Sequence, residues 1–168
     1  MRLPKPWVLV LLGLLLNIVA MLISSTKIEQ LDSAISALND INDENSYAIQ
    51  RAWSSVDTLE RKKENLVLYM STMPTLNQQT ASLVSSQLSP WLIEPPETLS
   101  NSNVQLWFDA IDHAQSRHRN DIDQYYLQTL EINEQVTQQQ ITVSWFKQIA
   151  LFLQVFGLAL ILARDLSK

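Results

Sequence analysis

Residues 7–23, WVLVLLGLLLNIVAMLI, and residues 145–163, WFKQIALFLQVFGLALILA, decide how this chain is built. Neither stretch holds Asp, Glu or Arg, and Lys147 sits at the mouth of the second. At 17 and 19 residues they come close to the roughly 20 that carry a helix across the hydrocarbon core of a bilayer. Two spans are therefore expected. The order becomes a tail at 1–6, a span at 7–23, an exported region at 24–144, a span at 145–163 and a tail at 164–168. Both termini then lie on one side.

Charge gives the expected orientation. From Ser24 to Ser144 there are seven Lys/Arg against sixteen Asp/Glu, a local charge of −9 within a chain of net −5. The tails are basic instead, with Arg2 and Lys5 at one end and Arg164 and Lys168 against Asp165 at the other. Positive flanks mark the cytoplasmic side, although Lys27 and Lys147 flank the far side. The expected address is the bacterial inner membrane, with two passes and the termini in the cytoplasm. An acidic middle argues against nucleic acid, which selects a basic face. The basic start would also suit a cleaved secretory signal. The apolar run is long for one, however, and Ser24-Ser25-Thr26 is a poor cleavage site, so an uncleaved anchor is expected. Two glycines, six prolines and no cysteine exclude a disulfide scaffold and a loop-rich sandwich. The fold class expected is all-α.

Between the spans the apolar residues step by three and four. The first series is Ile28, Leu31, Ile35, Leu38, Asn42, Asn45, Ile49, Ala52, Val56, Leu59, Lys63, Leu66, Met70, Met73. The second is Val104, Phe108, Ile111, Gln115, His118, Ile122, Tyr125, Thr129, Ile132, Val136, Gln139, Val143. A sustained 3.5-residue repeat is a coiled-coil seam. Each seam runs into its neighbouring span without a breaker, so each long helix should be continuous with that span. Pro74 should stop the first, since proline disfavours helical geometry in the residue before it. Residues 39–46, NDINDENS, read almost as a loop. Because the heptad phase survives across them, an unbroken helix is expected, reaching roughly 75 Å from Ser24 to Met73. A turn there would give a shorter four-helix bundle instead.

Aligned antiparallel, the two series form a coiled-coil-like hairpin. Gly13 and Gly157 lie at similar depth from the basic ends, as do Asn17 and Gln154. Pairing them makes partner residue numbers add to about 171. The same register sets Ile35 opposite Val136, Asn42 opposite Thr129, Ile49 opposite Ile122 and Leu66 beside Val104. Asn42 and Asn45 would form a polar layer that fixes the register. A short helix over Thr75–Ser89, with Leu76, Leu83, Val84 and Leu88 on one side, should cap the membrane-distal end. Trp91 to Pro96 should return extended, over a core drawing on Trp53, Trp107 and Phe108.

Enzyme signatures are absent: no G-x-S-x-G, no phosphate loop and no thiol. No catalytic residue, metal ligand or cofactor is expected. The densest polar cluster, Asp109 to Asp121, reads as a solvated, ion-paired face. Asp109 and His113 share that face four residues apart and, with His118 on the seam, are the candidates for a ligand- or pH-sensitive site. Asn17 and Gln154 either bond each other across the spans or meet a partner's span. Ala159 and Ala163 offer a second close-approach surface. Trp91, Leu92 and Ile93 beside Pro95-Pro96 form a stiff apolar strip that either caps its own bundle or docks a partner.

In its order of span, long exported helices and second span, the chain resembles the sensory half of bacterial chemoreceptors and sensor kinases. That likeness implies a ligand sensor. The chain ends five residues after the second span, so a sensor of this kind would borrow its output from a partner. The function expected first is a non-catalytic membrane interaction subunit, contacting the bilayer, other envelope proteins or further copies of itself. A sensor lacking its own output is the alternative.

Overall fold

In the computed structural model, residues 6–72 and 77–166 are described, with side chains at 7–72 and 77–163. Arg2, Lys5, Lys168, the stop at Met73-Pro74, and Leu76 lie outside these, as do the side chains of Arg164 and Asp165. The elements are α1 (Pro6–Leu22), a π-helical turn (Ile23–Ile28), α2 (Glu29–Thr72), α3 (Gln78–Leu88), a 3₁₀ turn (Ser89–Trp91) and α4 (Val104–Leu166). No strand occurs among the described residues. The all-α expectation holds, and α2 passes through residues 39–46 without a break. Two helical stretches are long and apolar enough to cross a membrane, with hydropathies of 2.6 and 1.9.

The chain divides into two compact units, Met1–Asn42 with Leu130–Lys168, and Asp43–Thr129. In the first, the two segments run antiparallel. The Gly13 and Gly157 backbones touch, and Asn42 Nδ2 donates to Asn133 Oδ1 at 2.9 Å. Asn42 thus bonds one helical turn away from the expected Thr129. The α4 seam continues unbroken: Ile132, Val136, Val143, Ala150 and Gly157 are buried, with Gln139, Phe146 and Leu153 half-buried between them. On the facing segment Gly13 and Ala20 are buried and Leu16 and Ile23 half-buried, and the next buried residue is Ile28. The step from Ile23 to Ile28 is five, where a heptad allows three or four.

The π-turn explains that step. Its i→i+5 bonding absorbs one extra residue, which keeps both flanking stretches facing α4. Widening a turn loosens its carbonyls. Thr26 Oγ1 supplies a bond to the Leu22 carbonyl at 2.6 Å, and Ser25 Oγ adds a longer one at 3.5 Å. The small hydroxylic run Ser24-Ser25-Thr26 marks the site.

In the second unit α3 packs on α2 and α4. The core is Leu59 and Leu66 of α2, Ala81, Val84 and Leu88 of α3, Leu92 and Leu99 of the connection, and Trp107, Ile111 and Ala114 of α4. Expected Trp107 and Phe108 take part, but Trp53 does not and is 51% exposed. Ala52 holds the inward position of that turn, so the next residue is carried some 100° outward. The α3 stripe is also displaced: Ala81, Val84, Ser85 and Leu88 face inward, and Leu83 faces out. The helix starts later than expected, at Gln78, because the Asn77 side chain caps it by accepting from the Gln79 N–H at 3.2 Å.

Polar ties hold this unit at the expected pairing or one turn beyond it. Gln115 Nε2 donates to the Val56 carbonyl at 3.5 Å and to Glu60 Oε2 at 2.7 Å, and Lys63 pairs with Asp112. Asn45 is buried, with its Nδ2 unbonded.

Candidate functional site

The segment after α3 is held by polar bonds, the innermost of them buried. Ser85 Oγ donates to the Ala81 carbonyl at 2.8 Å and accepts from the Leu99 N–H at 2.9 Å. Trp107 Nε1 donates to the Glu97 carbonyl at 3.1 Å. Asn103 Oδ1 accepts from the Ser100 N–H at 2.7 Å, while its Nδ2 reaches the Thr98 carbonyl at 3.1 Å. These contacts bind an irregular segment to two helices. Ser85→Ala would orphan the buried Leu99 N–H at a cost of about 1–3 kcal/mol. Urea unfolding of the full chain should show a lower midpoint at unchanged slope.

So held, the Trp91-Leu92-Ile93 strip divides. Leu92 turns into the core at 8% exposure, where it helps to cap its own bundle. Trp91 and Ile93 stay outside at 38% and 56%. At Leu92 the chain leaves the 3₁₀ turn for extended backbone, and that change of direction carries its side chain inward while Trp91 and Ile93 stay outside. Lys62 Nζ lies 5.6 Å from the Trp91 ring centroid and donates to the Gln87 carbonyl at 3.0 Å. That cation fixes the ring against α2.

Beside Lys62 runs a cleft of about 400 Å³ between α2 and α3, lined by Asn65, Leu68, Tyr69 and Thr72 on one side and by Val84, Gln87 and Leu88 on the other. The heptad seam gives no sign of this cleft. Its signal is the run Leu66-Val67-Leu68-Tyr69, four apolar residues where a heptad seam requires one. Leu66 is buried, whereas Val67, Leu68 and Tyr69 are 51%, 60% and 40% exposed.

The candidate sensing residues do not converge. Asp109 is exposed and accepts from Gln105 Nε2 at 3.0 Å. His113 is exposed and lines a hollow of about 330 Å³ with Leu92, Ile93, Glu94, Ala110 and Ala114. His118 is half-buried on the seam, its Nδ1 3.9 Å from Asp121 Oδ2. Among the described residues no group of three His, Cys, Asp or Glu side chains could hold a metal.

In the other unit the candidate quartet also splits. Gly13 and Gly157 meet at their backbones. Asn17 lies against Gly157 and donates to the Gly13 carbonyl at 3.0 Å, so its amide is satisfied within its own helix. Gln154 is exposed and makes no bond to it. The expected depth match of the two amides does not become a pair, because Gln154 follows Leu153 on the seam and is carried off it by one residue. Ala159 and Ala163 are also exposed. Comparison with family models, curated proteins and solved structures finds no match to this chain.

Proposed function

We propose that the chain is a two-pass protein of the bacterial inner membrane, with cytoplasmic termini and an exported antiparallel hairpin. Its role is that of a non-catalytic subunit presenting the three-helix end to partner proteins. Two features support the membrane reading. Each candidate span window is only 11% buried by the protein itself, and an apolar helix left uncovered on most sides requires lipid. Trp7 and Trp145 stand 63% and 57% exposed at the starts of the two stretches, a placement typical of aromatic residues at the headgroup level.

The observation that carries the interaction reading is the set of exposed apolar side chains on this unit: Leu68 in the cleft, Ile93 in the hollow beside His113, and Val67, Leu83 and Trp91. Apolar side chains gathered on one small unit are the usual mark of a binding surface. A photo-crosslinking residue at Ile93 in whole cells should capture a defined protein that also co-purifies in mild detergent. The same residue at exposed Gln124 should not, and Leu83→Asp should abolish the capture. Equal capture at both positions, or none at Ile93, would remove this reading. Protease added outside spheroplasts should cut the central region and spare tags at either end.

The sensor reading has one observation in its favour, the cleft itself, whose volume lies within the about 300–1,000 Å³ common for ligand pockets. It expects a lone protein whose melting temperature rises with a small molecule, an effect removed by Tyr69→Ala.

A further inference from the structure

The outer side of the second apolar stretch carries a group that lipid cannot satisfy. Gln154 is exposed, and no group among the described residues hydrogen-bonds its amide. Its neighbours on that face, Leu151 and Leu158, are 61% and 55% exposed. The three are spaced by three and four residues and face roughly a third of a turn away from the seam that packs on α1. Asn17, at similar depth, shows the satisfied alternative, with its amide bonded to the Gly13 carbonyl. Hydrocarbon offers neither donor nor acceptor, so an amide facing it draws in a partner that offers both.

We infer that this face binds a second copy of the chain, α4 against α4, through reciprocal Gln154 amide hydrogen bonds. This rests on the two-pass reading. A carboxamide donates and accepts, so it complements itself across a two-fold axis. Two copies inserted with the same topology place Gln154 at equal depth, with Leu151 and Leu158 meeting their own counterparts one turn to either side. No acidic residue lies between Glu134 and Asp165, so the pairing brings no carboxylates together. Lys147 sits at the mouth of the stretch, where its long side chain reaches the headgroup level.

The chain contains no cysteine, so single-cysteine variants of the full-length protein read the contact directly. In oxidised native membranes Leu158→Cys should form a disulfide-linked dimer of the chain, whereas Leu153→Cys, on the half-buried seam, should not. Adding Gln154→Leu to Leu158→Cys should lower the dimer fraction by about fivefold or more, and adding Gln154→Asn should retain most of it. Three results overturn the inference: no dimer from Leu158→Cys in protein that resists an alkaline wash, a dimer indifferent to Gln154→Leu, or crosslinks to other proteins alone. Should the wash release the chain from the membrane, the two-pass reading fails and the inference falls with it.

Discussion

Trp107→Ala should unfold the Asp43–Thr129 unit or bring it to the edge of unfolding. The indole is fully buried in a core that includes Leu59, Leu66, Leu88 and Leu99, and truncating a buried Trp costs about 3–5 kcal/mol. The Nε1 bond to Glu97 is lost as well, which loosens the segment carrying Trp91 and Ile93. Against a typical domain stability of about 5–15 kcal/mol, that leaves little margin. Limited proteolysis should then cut residues 92–103 faster than in the unsubstituted protein, and far-UV circular dichroism should show a fall in helix content. Trp107→Phe separates the two contributions. It keeps most of the packing and loses the hydrogen bond, for a smaller loss of about 1 kcal/mol. A Trp107→Ala chain with unchanged protease resistance would show that the three-helix core is not what holds this segment.

What the sequence made legible was the seams. From Ile28 to Met70, and from His118 to Val143, each member of the three-and-four series is buried or half-buried. Heptad periodicity survives even where the residue is Asn42, Asn45 or Lys63, because position on the helix is set by backbone geometry and not by side-chain polarity. Residues 39–46 show the same thing. Their composition reads as loop, but their phase reads as helix, and α2 runs through them.

The misses arose where period alone is not enough. The π-turn at Ile23–Ile28 adds one residue, and a window that counts apolar matches cannot distinguish that from noise. Its trace was the five-residue step between Ile23 and Ile28. Leu83 and Trp53, expected inward, each lie one residue from the inward position, which Val84 and Ala52 hold. Leu92 faces inward because the chain passes there from a 3₁₀ turn into extended backbone, a change of direction that apolar character alone does not reveal. The amides of Asn17 and Gln154 matched in depth, but depth says nothing about rotation around a helix. Rotation is what leaves Gln154 on the outer face while Asn17 lies against Gly157. The apolar run Leu66 to Tyr69 marks the α2 side of the cleft, but its other wall depends on where α3 lies, which α2 does not encode.

Gly157→Ala should destabilise the pairing of α1 with α4, even though alanine is the better helix former. The intrinsic gain from replacing a mid-helix glycine is about 1 kcal/mol. Against it stands a Cβ that would lie 2.6 Å from Asn17 Nδ2 and 2.7 Å from the Gly13 carbonyl oxygen. Asn17 can swing aside only by giving up its own bond to Gly13. The Gly13 oxygen belongs to backbone and can retreat only if the helices separate. Overpacking of this kind costs about 1–3 kcal/mol, and separation also forfeits the dispersion contacts of Ala20 and Ala150 along the same seam. The net effect is a loss, larger for Gly157→Leu, where the whole branch must be accommodated. In mild detergent the full chain should melt several degrees lower with Gly157→Ala, about 2–4 °C for each kcal/mol lost, and lower still with Gly157→Leu. Val155→Leu, on the exposed face, should leave the transition where it was. If Gly157→Ala instead raised the melting temperature, helix propensity would have outweighed contact, and the backbones of the two apolar stretches could not lie as close as this pairing requires.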